Sequence, residues 1–189
     1  MLTAIFKAPV EGRVRVRGIN LDGDEQADLT VHGGPDKAVY AYAIEETRIW
    51  EEEVGRDLGP GAFGENLTTE GVDVSGALLG ERWRIGTTLL EVVQPRLPCF
   101  KLGLRMEDPG FVRRFAKASR PGAYLRIVGA GELGAGDGIE IERTSPPQHT
   151  VSVRLVSDAI LNDHDLIPQA LEAPQLLPSL REWMTEIRP

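Results

Sequence analysis

A single cysteine, Cys99, serves the whole 189-residue chain, so no disulfide can close within it. Long hydrophobic runs are missing too: no stretch approaches the ~18 consecutive apolar residues that a membrane span requires. The first residues, Met1 to Lys7, lack a charged segment followed by an apolar one, so no secretory signal is expected. One thiol and no export signal point to a reducing, cytoplasmic setting. No glycine pattern of the Rossmann or Walker kind opens a helix, which leaves nucleotide binding of those kinds unsupported. Basic residues are the minority, 21 Lys and Arg against 29 Asp and Glu, and the net charge of −8 argues against general nucleic-acid binding. Internal repeats and low-complexity tracts are absent.

What is there is the composition of a globular protein, 41% hydrophobic and 26% charged, long enough for one domain with an appendage. Up to about residue 147 the chain reads as short strands punctuated by its 21 glycines and 13 prolines. Arg82-Trp83-Arg84-Ile85 alternates, the apolar run Leu89 to Val93 follows Gly86, and Ala123 to Val128 alternates again. Ile139 to Glu142 follows the turn Gly136-Asp137-Gly138. This spacing predicts a barrel or sandwich rather than a parallel βαβ sheet. One helix interrupts it: Tyr40, Ala43, Thr47, Trp50 and Val54 share a face, with Gly55 as the stop. A shorter helix is expected from Phe111 to Ala118.

After Pro146-Pro147 the character changes. Thr150 is placed to cap a helix in which Ser152, Leu155, Val156, Ala159 and Ile160 share a face. Asp163 to Ala173 and Ser179 to Arg188 read as two further short helices. The expected division is therefore 1–147 for the strand-rich domain and 148–189 for a helical extension. Such an extension is too small to fold well alone and should pack on the domain or on a partner chain.

Three segments carry chemistry. The first is Gln94-Pro95-Arg96-Leu97-Pro98-Cys99-Phe100-Lys101-Leu102. Two prolines stiffen the approach to Cys99, and Arg96 and Lys101 bracket it with positive charge that favours a thiolate. Metal binding, sulfur transfer and an inert buried thiol are all compatible with that stretch alone. Between Arg96 and Arg126 eight basic residues face two acidic ones, which suggests an anionic small ligand. Arg113, Arg114 and Lys117 are expected on a solvated helix face, and Arg96 and Lys101 at the ligand. The second segment is His32-Gly33-Gly34-Pro35-Asp36-Lys37, a turn of exposed amides suited to wrapping an anion. The third, Gly59 to Thr68, is a glycine-framed loop presenting Glu65, Asn66 and Thr68.

These segments, in this order, resemble the MOSC domain, named for the C-terminal domain of molybdenum-cofactor sulfurases. The likeness is greatest to the bacterial stand-alone YiiM-like group. It runs from about Ile5 to the C-terminus, and rests on residues 23–42, 61–68 and 94–102, the glycine before Trp83, and Gly122 to Arg126. Glu81 departs from the commoner Gly-Asp, and the tail is shorter than usual. The resemblance implies a mainly β fold, a closed β-barrel with peripheral helices, holding the molybdenum cofactor (molybdopterin). It makes Cys99 the metal ligand. Arg96, Lys101, His32 and Lys37 would neutralise the pterin phosphate. Asn66, Thr68, neighbouring Glu65 and the amides of Gly33 and Gly34 would border phosphate or pterin.

The implied activity is reduction of small N-hydroxylated compounds, such as hydroxylaminopurine-type base analogues, with His32 as a proton source. The chain has no flavin or haem signature, so electrons would come from a separate reductase, a flavoprotein or similar. The tail leaves room for a homodimer. Two rivals stand beside this reading: a sulfur carrier with a persulfide on Cys99, and a non-catalytic cofactor-binding module.

Overall fold

The structure, a computed structural model, describes residues 4–24, 33–142 and 149–187. The strands are β1 (Arg13–Arg17), β2 (Asn20–Leu21), β3 (Val39–Ala43), β4 (Leu67–Thr69), β5 (Arg82–Ile85), β6 (Thr88–Pro95), β7 (Ala123–Gly129), β8 (Gly131–Gly134) and β9 (Ile139–Glu142). The helices are α1 (Ile44–Val54), α2 (Phe100–Met106), α3 (Phe111–Lys117), α4 (Val153–Leu161), α5 (Ile167–Ala170) and α6 (Pro178–Ile187). Two single 3-10 turns cover Pro35–Lys37 and His164–Leu166. Among the described residues no helix is long and apolar enough to cross a membrane.

Alternation forms β5 as expected. Trp83 and Ile85 point inward, while Arg82 and Arg84 point out and pair with Glu91 and Glu142 on the flanking strands. Glu81, the departure from the family pattern, is buried and accepts a 2.7 Å hydrogen bond from the Trp83 indole. It is thus a partner that a core tryptophan needs.

The six-stranded sheet runs β4-β3-β7-β6-β5-β9, and only the β3–β4 pairing is parallel. A second sheet, β2-β1-β8, branches off where the chain passes from β7 to β8 across Ala130. The closed barrel expected from the sequence is therefore replaced by an open, curled half-barrel with helices. Among the described residues no ladder joins β4 to β9, and β1, β2 and β8 pair in their own sheet. Alternating strands with glycine turns fit either arrangement, because closure depends on which edges meet.

The helix expected to begin at Tyr40 begins instead at Ile44, because Val39-Tyr40-Ala41-Tyr42-Ala43 is strand β3. All five residues of β3 are buried, so the strand shows no polar alternation to mark it. Val39, Ala41 and Ala43 join an aliphatic core, and Tyr40 and Tyr42 face the other way into an aromatic one. Gly55 ends α1 with φ 69°, the left-handed cap that glycine adopts without a steric penalty.

Helix α4 is capped by Ser152 rather than Thr150, its Oγ accepting from Leu155 N at 3.1 Å. Helices α4 to α6 contribute Val153, Val156, Ala159, Ile160, Ile167, Ala170, Leu180 and Met184 to the cluster that also holds Val39, Leu90 and Leu125. The helical segment thus shares the aliphatic core of the sheet. Each Val, Ile, Leu and Met among them adds about 1.5–3 kcal/mol on burial, before conformational entropy is subtracted. The boundary at 147 lies outside the described residues.

Candidate functional site

The site grows from one irregularity in β6. Val92 pairs with Leu125 on β7, but Gln94 pairs with the very next residue, Tyr124, so Val93 is an extra residue. Such a bulge turns the following side chains to the other face. Leu90 and Val92 lie in the aliphatic core, whereas Gln94 shares the face of Tyr124, which itself pairs in register with Tyr40. Arg96, two residues on, emerges on that same aromatic side.

Arg96 is 6% exposed, a buried cation. Its guanidinium carbon lies 5.1 Å from the Tyr40 ring centre and 5.8 Å from that of Phe115, and its Nη1 donates to the carbonyl of Phe63. Burial alone would favour loss of its proton, yet Tyr40, Tyr124 and Cys99 outweigh that and raise its pKa above the ordinary value. It therefore stays charged. Cys99 is half-exposed and takes extended backbone angles, φ −128° and ψ 171°, just before α2, with its sulfur making no cap hydrogen bond. Cys99 acts to raise the pKa of both Arg96 and Tyr124, so it lies within electrostatic reach of the two.

The floor beneath them is tied down at three points. Tyr40 Oη donates to the carbonyl of Pro121 at 2.9 Å, Tyr42 Oη to that of Arg120 at 3.2 Å, and Gly122 N to Ser75 Oγ at 3.2 Å. Tyr42 also accepts from the Trp50 indole at 2.9 Å. Burial raises the pKa of Tyr40 and of Tyr124, with Arg96 opposing in each case, so both phenols remain protonated.

The other residues singled out in the sequence are placed as follows. Glu65 is 3% exposed and its carboxylate is filled by its own loop: it accepts from Gly61 N at 2.6 Å, Phe63 N at 2.9 Å and Thr68 Oγ1 at 2.9 Å. Through Phe63, this loop meets Arg96. Asn66 bridges β3 to the N-terminal segment, accepting from Tyr40 N at 2.9 Å and donating to Asp24 at 2.7 Å, while Asp24 pairs with Lys7. Gly33 and Gly34 lead into the 3-10 turn that carries Lys37, whose pKa is lowered by burial, with Asp36 opposing.

That turn docks on the sheet: the carbonyl of Asp36 accepts from Gln94 at 2.9 Å and its carboxylate pairs with Arg126 at 2.9 Å. Lys101 stands half-buried in α2 with no ion pair to the described residues. Arg113 and Lys117 are exposed, and Arg114 pairs with Glu53 and Asp108. His32 lies outside the described residues. Sequence reasoning missed Tyr40, Tyr124 and Gln94, whose convergence depends on cross-strand register and shows no local pattern.

Among the described residues no three His, Cys, Asp or Glu side chains gather into a metal-holding group. A lone, unengaged thiol beside a buried cation fits a metal that arrives with ligands of its own. Residues 28–140 match the model of the MOSC domain, and the chain belongs to that family. Its relatives include the Bacillus subtilis uncharacterized protein YflK, 36% identical over 163 residues, 86% of this chain and 72% of that one. Escherichia coli YiiM is 34% identical over 143 residues, covering 74% and 63% of the two chains. A Gibberella moniliformis protein named Reductase is 31% identical over 177 residues, 91% of this chain but 31% of that longer one. The crystal structure of Geobacillus stearothermophilus YiiM superposes with a TM-score of 0.81 at 30% identity, covering 98% of this chain and 89% of its own.

Proposed function

We propose that the chain binds the molybdenum cofactor and reduces small N-hydroxylated compounds to amines in the cytoplasm. The observation that carries this reading is the half-exposed Cys99 sulfur, unengaged and beside the buried cation Arg96. The fungal relative named Reductase, aligned along 91% of this chain, supports reductive chemistry. When bound, the cofactor supplies a two-electron redox couple. Cys99 contributes one thiolate donor to it. Lys37, Lys101 and Arg96 supply positive charge for its phosphate, with the amides of Gly33 and Gly34, and Asn66 and Thr68 alongside. Overall, R–NHOH takes up two electrons and two protons and gives R–NH2 and water. The electrons come from a separate flavoprotein-type reductase, and His32 is a proton source.

The test is anaerobic purification from a molybdenum-replete host, followed by metal and pterin analysis and reductant-driven turnover of hydroxylaminopurine. The expected result is one molybdenum and one pterin per chain, with turnover, both lost in Cys99→Ser. Labile sulfur on Cys99 without metal would instead make the chain a sulfur carrier. Bound cofactor without turnover of any hydroxylamine would make it a binding module.

A further inference from the structure

The seven residues of α2 divide sharply between two faces. Leu102, Gly103 and Met106 face inward, and Gly103 lies so near α3 that an added Cβ would meet Val112 at 3.3 Å. The outward face shows Phe100 at 58% and Leu104 at 54% exposure, one helical turn apart. Phe6 is 61% exposed and lies against the same helix, its ring centre 5.2 Å from the guanidinium carbon of Arg105. Three large apolar side chains thus stand in water around one short helix, a cluster rather than the scatter of single residues that any surface carries. Charge sets this face apart as well. On the sheets the exposed arginines are paired: Arg13 with Asp137, Arg15 with Glu132, Arg82 with Glu91 and Arg84 with Glu142. Lys101 and Arg105, at i and i+4 along α2, have no acidic partner among the described residues, and Arg105 Nε is buried without a hydrogen bond. Glu107, the next acid along the chain, is the C-cap at the far end.

We infer that this face of α2 docks an acidic protein, the separate flavoprotein that supplies electrons, an identification that rests on the reductase reading above. Two cations without acidic partners beside an exposed apolar strip, in a chain of net charge −8, complement a surface that is acidic and partly apolar. Phe100 directly follows Cys99, so a protein seated here abuts the residue assigned to the metal. The strip is small, the size of the weak, quickly released contacts that electron carriers make. Unpaired charge steers such encounters and makes them sensitive to salt. Binding to a bilayer scales with buried apolar area, and seven residues of helix offer little of it.

The probe is a flavodoxin, a small acidic protein with FMN at its surface, dye-labelled and titrated with cofactor-free chain while its fluorescence anisotropy is read. Wild type should bind saturably at low salt and release the probe near 1 M sodium chloride, where the screening length is about 3 Å. Leu104→Ser combined with Arg105→Glu should weaken binding about tenfold or more. Leu104→Ser alone, at an exposed position that folding does not depend on, should weaken it about threefold. Arg48→Glu, the same charge change on exposed α1, should bind as wild type does. In the loaded protein, the double variant should reduce hydroxylaminopurine about tenfold more slowly with reduced flavodoxin. With dithionite, which needs no docking, it should stay within about twofold of wild type. No binding by wild type, equal weakening by Arg48→Glu, or equal losses with both reductants overturns the inference. So does self-association, or adhesion to phosphatidylserine vesicles, that the double variant abolishes while flavodoxin binding persists. If binding follows the expected pattern but loaded wild type reduces no hydroxylamine with either reductant, the acidic-protein surface stands and the reductase reading falls.

Discussion

Ser75 Oγ donates to Glu46 Oε2 at 3.1 Å in the buried seam between α1 and the strand entrance at Gly122. Glu46 is 8% exposed, and burial raises its pKa from 4.5 to about 7, against the pull of Ser75 and of Arg154 at 3.8 Å. Asp73 adds to the rise and Arg120 opposes it. A carboxyl whose pKa is higher folded than unfolded stabilises the fold fully below pH 4.5, and that contribution is lost as pH rises through about 7. Glu46→Gln should therefore match wild type near pH 4.5 and exceed it at pH 8, the gap approaching about 3 kcal/mol. Urea unfolding at several pH values reads this, and a gap that is flat with pH refutes it.

Glu65 accepts three donors from its own loop, so its carboxylate holds Gly61 to Thr68 in shape. Glu65→Gln turns an amide N–H toward at least one of those donors, and should cost about 2–3 kcal/mol. Because Phe63 links this loop to Arg96, the same variant should quicken alkylation of Cys99 by iodoacetamide. Unchanged denaturation together with unchanged alkylation would contradict this.

Gly122 is irreplaceable on two counts. Its φ is 64°, and a Cβ there would sit 2.6 Å from the carbonyl oxygen of Ala41 and 2.7 Å from the Tyr42 ring. Gly122→Ala should lose at least about 3 kcal/mol, from the left-handed backbone and the collision with β3 together. A thermal midpoint equal to wild type would mean the strands do not approach this closely.

Arg96→Lys preserves charge yet should fail. A lysine lacks the planar fork that covers Tyr40 and Phe115 while reaching the Phe63 carbonyl. The expected loss is about 2 kcal/mol, with increased near-ultraviolet circular dichroism change in the tyrosine region. A lysine variant as stable as wild type would show that charge alone is what the position requires.

Sequence pattern made the edges of this fold legible and left its centre obscure. Arg82-Trp83-Arg84-Ile85 announced β5 because one face meets water. Tyr40 to Ala43 read as the start of a helix because both faces of β3 are buried, so there was no polar side to reveal the period. The same divide runs through the site. Cys99, Arg96 and the glycine turns stand out by residue type and local spacing. Tyr124, Tyr40 and Gln94 gain their importance only from cross-strand register, which distant strands fix jointly. Glu65 shows the converse: prominent in its loop, it spends every interaction on holding that loop.

Val93 acts as a parity switch. Upstream of it β6 sends Leu90 and Val92 into the aliphatic core, and downstream the same alternation turns Gln94 and Arg96 to the opposite face. Chemistry and cohesion are thereby housed on one continuous strand without competing for the same surface. A lineage could retune the face downstream of Val93 while inheriting its foundation untouched.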